Sequence, residues 1–235
     1  MVEISQTGDQ MLTVLECVAR DGPVSAADVA RICDINRTVA HRLLTTLSQR
    51  AYIRRNVGGG YMVGPALLQL TRGMETDLRT KAKPVMQKLA VETGETVVLH
   101  GIANADAVVI DQALGQKHLV RVEHRPGSRH SLLQGASGWS MLAFQNPKYV
   151  ERVLKNASDP AGARERIALT HEAGYAISYD ELQLGVHGVA VPIIEARGRC
   201  EASLAILVPA ARSSLLPSFV GLLVSASREI AKQLA

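Results

Sequence analysis

The first sixty residues combine apolar positions at helical spacing with short polar turns. One stripe consists of Met11, Leu12, Leu15 and Val18. Its spacing predicts a helix that ends near Asp21-Gly22-Pro23. Ser25, with Asp28 three positions on, predicts the start of a second helix. Asn36 is a suitable N-cap for a third helix over about 37–49, whose inward stripe is Val39, Leu43, Leu44 and Leu47. Two β-type runs flank the glycine-rich turn at 56–60 and predict a hairpin.

The remaining pattern predicts a larger mixed domain. Gly64-Pro65 ends the hairpin, and Ala66, Leu67, Leu70 and Met74 give the next helix one apolar stripe, which we interpret as a linker helix. A further helix is predicted over about 83–93. Beyond Gly94, strands are predicted at 96–99, 107–110, 119–122, 175–179, 186–194 and 202–208, and helices at 137–144, 148–155, 162–173 and 215–234. Strands mixed with flanking helices imply an α+β domain over an antiparallel sheet.

Charge distribution changes the picture more than overall composition does. The chain has 235 residues, 47% hydrophobic, which is enough to build a substantial core, and a formal charge of only +4. Residues 31–55 carry six arginines against one acid, Asp34, so a small basic module adjoins a nearly neutral remainder. Aromatic residues make up 3%, which argues against single-strand nucleic-acid binding by base stacking.

The basic module predicts a winged helix-turn-helix. In that motif the second helix of the pair lies in the major groove of duplex DNA and its outward side chains meet base edges. That outward face carries Arg37, Thr38, His41, Arg42 and Thr45. Arg54 and Arg55 stand where a wing would reach phosphates or the minor groove. The alternative is a small helical domain with a solvated basic face.

Other chemistry is less well supported. Cys17, Cys33 and Cys200 form no C-x-x-C pair, and Glu3 and Asp9 stand where a signal peptide would be basic and then apolar, so we expect a reducing cytoplasm and no membrane segment. The spacing of the histidines His118, His124, His130, His171 and His187 predicts no metal site, and no cofactor is expected. His187 is a candidate partner for a ligand hydroxyl or carboxylate. Gly135-Ala136-Ser137-Gly138-Trp139 lacks the last glycine of a nucleophile elbow.

Several segments resemble the IclR family of bacterial transcription regulators (isocitrate lyase regulator type). The similarity lies in the segments 25–30, 38–47, 60–64, 66–68, 174–181, 185–186 and 190–192, in family order along nearly the whole chain. The resemblance implies a GAF-like effector-binding domain after the linker helix. It also implies a homodimer, or a dimer of dimers, on a pseudo-palindromic operator.

The resemblance also implies an effector pocket at the turn Gly135-Ala136-Ser137-Gly138. There the backbone N–H groups of Ala136 and Ser137 are expected to face a ligand carboxylate. Leu119 and Val122 match apolar lid positions. Ser178, Gly188, Ala205 and Leu207 stand where family members that bind small oxo-acids carry polar or acidic groups. We therefore expect a roomier and drier cavity and hypothesise a larger apolar effector, in its narrower form an aromatic carboxylic acid. The alternative is that Leu207 fills the space and the pocket is collapsed.

The sequence thus predicts an α+β protein with three parts. Residues 1–64 are expected to form the winged helix-turn-helix, 65–76 the linker helix, and 77–235 the GAF-like effector-binding domain. The expected function is a non-enzymatic, effector-modulated regulator that binds double-stranded operator DNA and represses a catabolic operon, with activation left open. The alternative is a small-molecule enzyme or carrier on the C-terminal domain, with the N-terminal module as a non-specific DNA-docking adaptor.

Overall fold

The computed structural model describes residues 4–72, 77–196 and 198–234, and the chain divides into two compact units, Met1–Glu75 and Thr76–Ala235. The three-part domain bounds expected from the sequence stay a prediction. Met74, the last residue of the expected linker stripe, lies outside the described residues. No helix in the described ranges has the length and apolar character needed to cross a membrane.

The N-terminal unit is a winged helix-turn-helix, as predicted. Its helices are α1 (Gln6–Asp21), α2 (Ala26–Ile32), α3 (Arg37–Gln49) and α4 (Ala66–Arg72). The antiparallel hairpin of β1 (Ile53–Arg55) and β2 (Tyr61–Val63) forms the wing. The core between these elements is built from the buried side chains of Val14, Val18, Val29, Leu44, Leu47 and Ile53.

The C-terminal unit is built on a six-stranded antiparallel sheet in the order β5-β4-β3-β8-β7-β6. The strands are β3 (Thr96–Ala103), β4 (Asp106–Ala113), β5 (Arg129–Ser131), β6 (Ala176–Tyr179), β7 (Val186–Ile194) and β8 (Cys200–Pro209). The helices are α5 (Asp77–Thr93), α6 (Gly135–Leu142), α7 (Pro147–Leu154), α8 (Pro160–Ala173) and α9 (Leu216–Leu234), with a 3-10 helix, Ala210–Leu215, before the last. This confirms the predicted α+β class.

Alternating side chains give the sheet two buried faces. Val97 and Leu99 of β3 pack with α5 and α9, whereas Val98, between them, packs with α6 and α7. Because side chains alternate along a strand, the next residue on the α6 side of β3 is His100. The sheet therefore carries one apolar face against two long helices and a second face that holds the candidate ligand site.

Two local predictions were wrong. Residues 119–122 are not a strand, and side chains rather than a neighbouring strand bind the carbonyl groups of Val120 and Val122. Arg212 donates to the Val120 carbonyl at 3.0 Å and the Thr96 hydroxyl donates to the Val122 carbonyl at 2.6 Å. Helix α5 starts six residues before the expected position, and Pro84 lies in its interior rather than in its first turn.

Candidate functional site

Helix α3 presents one buried and one exposed face. The buried face consists of Ala40, Leu43, Leu44 and Leu47, with Ala40 more deeply buried than the expected Val39. The exposed face carries all five predicted DNA-contacting residues of the helix, Arg37, Thr38, His41, Arg42 and Thr45. Within the described ranges neither arginine of this face is in an ion pair. Both guanidinium groups are therefore available to an external partner.

The turn before α3 is fixed by local hydrogen bonds. The Ser25 and Asp28 side chains complete a capping box at the start of α2. Asn36 caps α3 by accepting from the Thr38 N–H at 2.8 Å, and Asp34 adopts φ 49° between the helices. These bonds hold α3 at a defined angle to α2, which a helix-turn-helix needs.

The hydroxyl of Thr45, one of the predicted DNA-contacting residues, is already hydrogen-bonded within the helix. The Thr45 hydroxyl donates to the His41 carbonyl at 2.8 Å, one turn earlier. Serine and threonine hydroxyls often make this bond inside helices. Thr45 therefore offers its methyl group and a hydroxyl lone pair to the solvent, rather than a free hydroxyl proton.

The wing exposes both predicted arginines, but in different settings. Arg54 projects from β1 and has no ion-pair partner in the described part of the chain. The Arg55 guanidinium lies 5.5 Å from the centre of the Tyr61 ring and donates to the Tyr61 hydroxyl at 3.4 Å. Such a contact orients the guanidinium while leaving it charged. The Arg54 guanidinium is thus not held by an ion pair, whereas the Arg55 guanidinium is held in a defined orientation by Tyr61.

The candidate ligand site is a small cavity under the N-terminus of α6, which we call the α6 cavity. Its volume is about 20 Å³, and its lining consists of His100, His124, Ala136, Ser137, Ser178, Leu182, Val186, His187 and Leu207. Five of these, Ala136, Ser137, Ser178, His187 and Leu207, were named as candidates from the sequence. A cavity of this size holds about one water molecule.

Internal acceptors already occupy the first N–H groups of α6. The Gly135 N–H and the indole Nε1 of Trp139 both donate to Glu181 Oε2, at 2.8 and 2.9 Å. The Ala136 N–H donates to Ser178 Oγ at 3.0 Å. Arg166 pairs with the other Glu181 oxygen at 2.5 Å. The expectation that the Ala136 N–H faces a ligand directly is therefore corrected, because helix N–H groups buried without a ligand need an internal acceptor.

Ser137 is hydrogen-bonded to a histidine whose tautomer is fixed. His130 Nδ1 lies 3.0 Å from the Ser131 carbonyl, so this nitrogen must carry the proton. Burial lowers the pKa of His130, which keeps the ring neutral at pH 7 and leaves Nε2 as an acceptor. The Ser137 hydroxyl, 3.1 Å from Nε2, therefore donates to it. Ser137 then presents only lone pairs to the cavity.

All three histidines of the lining, His100, His124 and His187, have ring nitrogens without a hydrogen bond in the described chain; His187 Nε2 lies 3.2 Å from Asp180 Oδ2. His100 is 1% exposed and neither of its ring nitrogens is hydrogen-bonded within the described chain; His124 Nδ1 is also unpaired. The His100 ring centre lies 5.5 Å from that of His130 and 6.3 Å from that of His124. Burial lowers the pKa of His100 well below its usual value of 6.5 and also lowers that of His124. No group of three or more histidine, cysteine or acidic side chains in the described ranges is arranged to hold a metal ion.

The other predicted pocket residues lie outside the cavity lining. Leu119 is exposed to solvent, which corrects its assignment as a lid residue in this conformation. Val122 is buried in the core on the α6 side of the sheet, and its carbonyl accepts a hydrogen bond from Thr96. Gly188 and Ala205 form part of the sheet beneath α6, where Gly188 leaves room for Leu207: a Cβ on Gly188 would lie 2.8 Å from Leu207 Cδ2.

The expected roomier and drier cavity is not what this conformation shows. Leu207 occupies much of the space beneath α6, as the alternative interpretation held, and the lining includes three imidazole rings. Sequence reasoning missed the other four lining residues, His100, His124, Leu182 and Val186. The available signal for His100 was a polar residue within the otherwise apolar run of β3, since buried polar groups require partners.

Comparisons with known proteins agree on one family. Residues 73–232 match the family model described as bacterial transcriptional regulator IclR C-terminal, and residues 9–57 match the IclR helix-turn-helix domain. The regulator BhcR of Paracoccus denitrificans is 26% identical, over 94% of this chain and 85% of its own length. The transcriptional repressor IclR of Escherichia coli is 25% identical, over 93% of this chain and 86% of its own length.

A solved structure supports the same fold. An IclR homologue from Microbacterium hydrocarbonoxydans, crystallised with 4-hydroxybenzoate, superimposes with a TM-score of 0.84. The two proteins are 22% identical, and the alignment covers 97% of this chain and 99% of the homologue. At this identity the likeness establishes the fold alone.

Proposed function

This chain belongs to the IclR family of bacterial transcriptional regulators, and from that premise we propose that it represses a catabolic operon under the control of a small-molecule effector. It is a DNA-binding transcriptional regulator with a helix-turn-helix domain. In the proposal, a homodimer or a pair of dimers binds operator DNA. Residues 1–64 contact DNA, 65–76 link the domains and 77–235 sense the ligand. Action on chromosomal DNA implies a cytoplasmic location.

The observation that carries the DNA-binding assignment is the outer face of α3. Arg37 and Arg42 are exposed on this helix and form no ion pair in the described chain. The helix follows a turn that ends in the capping residue Asn36. Arginine donates bidentately to guanine in the major groove, and one such contact discriminates between bases by about 1–3 kcal/mol. Arg54 on the wing is suited to phosphate contacts, which set affinity and salt dependence.

A gel-shift titration on the DNA upstream of its own gene tests this assignment. Arg37→Ala or Arg42→Ala should weaken specific binding about 5- to 150-fold, the equivalent of about 1–3 kcal/mol, and relax base preference. Arg54→Ala should weaken binding to all sequences alike and reduce the salt slope by about one. Arg20→Ala is the matched control, because Arg20 is exposed in the same domain but paired with Asp21 at 2.8 Å. Specific binding that survives both α3 substitutions would contradict the assignment.

We place the effector in the α6 cavity. The support is the convergence of a helix N-terminus, the Ser178 hydroxyl and unpaired buried histidine nitrogens around one cavity. The dipole at a helix N-terminus favours a carboxylate, which would have to replace Ser178 as the acceptor of the Ala136 N–H, and the Microbacterium homologue was crystallised with an aromatic acid. We therefore propose a carboxylic acid larger than glyoxylate or pyruvate. Thermal-shift screening of benzoate-type acids against these two oxo-acids tests the choice, and preferential binding of the oxo-acids would refute it.

The regulatory step is a shift between two arrangements of the dimer. The effector binds one arrangement more tightly and so changes the fraction of dimers whose recognition helices match the half-sites. Half-sites on one face of DNA lie about 34 Å apart, so a modest change in spacing abolishes binding. The test is to titrate the effector into the gel shift and measure the mass of the complex by ultracentrifugation. An effector that binds the protein without changing its DNA affinity would exclude this mechanism.

The enzyme alternative gains no support from the Ser137–His130 pair. His130 is oriented by a main-chain carbonyl rather than a carboxylate. The first N–H groups of α6, which an oxyanion would need, are taken by Glu181 and Ser178. A serine–histidine pair without these two features lacks most of the means to stabilise a tetrahedral intermediate.

A further inference from the structure

Two of the three cysteines, Cys17 and Cys33, lie together in the N-terminal unit. Cys17 is on α1, and Cys33 directly follows the last residue of α2. Cys33 Sγ lies 4.0 Å from the carbonyl oxygen of Thr13, the group that accepts the N–H of Cys17 in an α-helix. The side chains of Cys17 and Cys33 also interact with each other directly. Residues distant in sequence thus bring two free thiols into contact.

The two thiols differ in how an oxidant reaches them. Cys17 is buried, and burial together with the neighbouring Cys33 raises its pKa to about 11, so Cys17 stays a protonated thiol at pH 7. Cys33 is half-buried at the end of α2. An oxidant from solvent therefore meets Cys33 first, and Cys17 lies where it can react with the oxidised product. Redox-sensing cysteines often lie next to such a second, resolving cysteine.

A bond between these sulfur atoms would displace the turn that positions α3. The sulfur atoms of a disulfide are about 2.05 Å apart, about 1.5 Å closer than sulfur atoms that merely touch. Cys33 directly precedes Asp34, with its φ of 49°, and Asn36, which caps α3. Hydrogen bonds to base edges tolerate only about half an ångström of variation in length. A shift of this size at Cys33 is therefore enough to break base contacts made from α3.

We propose that Cys17 and Cys33 form an oxidative modification site, at which a hydroperoxide joins them in a disulfide that lowers the affinity of α3 for operator DNA. For its effect on affinity, the inference rests on the proposed DNA contacts of α3. In the cytoplasm, disulfides of this kind are transient and serve catalysis or redox sensing.

The reaction has two steps and consumes one hydroperoxide. The Cys33 thiolate attacks one peroxide oxygen, the O–O bond breaks, Cys33 becomes a sulfenic acid, and the leaving hydroxide takes up the proton that Cys33 has lost. The Cys17 sulfur then attacks the Cys33 sulfur. The S–S bond forms, the S–O bond breaks, and the leaving hydroxide takes up the Cys17 proton. With hydrogen peroxide, two thiols thus give one disulfide and two water molecules.

Peptide mapping of the full chain tests whether the bond forms. Reduced protein is treated with hydrogen peroxide, unfolded, alkylated and digested with trypsin. Trypsin cleaves after Arg20 and Arg31, so Cys17 and Cys33 fall in separate peptides, 1–20 and 32–37. Mass spectrometry should find these two peptides linked, and dithiothreitol should separate them. Cys200 should be alkylated as in untreated protein, because it is buried in the C-terminal unit and burial raises its pKa to about 12.

Gel shifts on the DNA upstream of its own gene test the effect on binding. Oxidised wild type should bind about tenfold or more weakly than reduced wild type, the equivalent of one lost bidentate base contact, and dithiothreitol should restore the affinity. In Cys33→Ser, peroxide should produce neither the linked peptides nor the loss of affinity. Cys200→Ser is the matched control and should respond to peroxide as wild type does.

The two measurements separate this inference from the proposed function. Absence of the linked peptides, a linkage found only between two chains, or unchanged affinity of the linked protein would overturn the inference. If reduced wild type does not bind this DNA, the proposed DNA contacts fail and the effect on affinity falls with them, while the peptide map still decides whether the disulfide forms. If Cys33→Ser does not fold, Cys33→Ala replaces it in both measurements.

Discussion

Gly188 and Leu207 share one space beneath α6, so we expect their substitutions to be strongly non-additive. The two residues are direct partners across β7 and β8. A Cβ on Gly188 would lie 2.8 Å from Leu207 Cδ2, closer than two carbon atoms can approach without a shift. Leu207 is 7% exposed, and the free volume beside it is the α6 cavity. Gly188→Ala should therefore push the leucine into that cavity.

The structure sets the size of each effect. Gly188→Ala should lower the free energy of unfolding by about 1 kcal/mol, at the lower end of overpacking costs, because the displaced atom ends a flexible side chain. Leu207→Ala should lower it by about 2–5 kcal/mol, the usual cost of truncating a buried leucine. In the double variant the methyl group that Gly188→Ala introduces enters the space that Leu207 has vacated. The double variant should then be more stable than the sum of the single effects by about 1 kcal/mol or more.

Urea unfolding measures these terms, and Trp139, the single tryptophan of the chain, reports on the helix that covers the cavity. Leu184→Ala is the matched control, because Leu184 is exposed in the loop that leads into β7. It should change stability by less than about 0.5 kcal/mol and add simply to Gly188→Ala. Additivity of Gly188→Ala and Leu207→Ala within about 0.5 kcal/mol would refute the shared-space argument.

Three further predictions concern other parts of the chain. Arg212→Ala should lower the free energy of urea unfolding by about 3–5 kcal/mol, because it leaves the carboxylate of Glu95, 0% exposed, without its guanidinium partner; adding Glu95→Ala should recover part of the loss. Stability should fall as pH drops below about 6.5, because burial lowers the pKa of His100 and the unfolded chain then binds a proton that the folded chain does not. The slope for this group is at most about 1.4 kcal/mol per pH unit, and His100→Phe should remove that share in urea unfolding across pH values of about 5–7.5. Asn36→Ala should cost about 1 kcal/mol of N-terminal-unit stability and weaken operator binding in the gel shift, whereas Asn36→Asp should keep the cap.

The winged helix-turn-helix was predictable because its determinants are local. The capping residues Ser25 and Asn36 lie where the sequence places them, and α3 has the predicted bounds Arg37–Gln49. Side chains that cap a helix act within three positions of it, so sequence spacing is enough to find them. The exposed arginine face then follows from helical periodicity alone.

Strands could be predicted where a continuous run of residues is buried in the sheet. They were predicted wrongly where side chains, instead of a neighbouring strand, bind the main-chain carbonyl groups. Val186–Ile194 was predicted with its observed bounds, because it is buried along almost its whole length in the sheet. Residues 119–122 have a similar composition, but Arg212, far away in sequence, binds the Val120 carbonyl. The local sequence does not reveal that Arg212, about 90 positions away, donates the hydrogen bond that a neighbouring strand would otherwise donate to Val120.

The ligand site was predictable at its helix end and, among its histidines, at His187, but not at His100 or His124. Ala136, Ser137, Ser178 and Leu207 follow from family resemblance and do line the cavity. His100 comes from β3, and it comes to line the same cavity as Ser137 only once the sheet and α6 have packed. A histidine in an apolar strand is by default interpreted as a core residue with a partner, and only the packed structure reveals that this one has none within the described chain.

The site beneath α6 is held closed by the protein's own groups, and this has a consequence for regulation. Glu181 and Ser178 satisfy the first N–H groups of α6, and Leu207 fills the space that Gly188 leaves open. An effector must therefore exchange for existing contacts, and its net affinity is reduced by the free energy needed to open the cavity. A ligand shifts a conformational equilibrium only by its difference in affinity for the two states. The free energy needed to open the cavity contributes to this difference in affinity. Leu207→Ala, which empties the space, should therefore raise the affinity for the effector. The same substitution should weaken the change in DNA affinity that the effector causes.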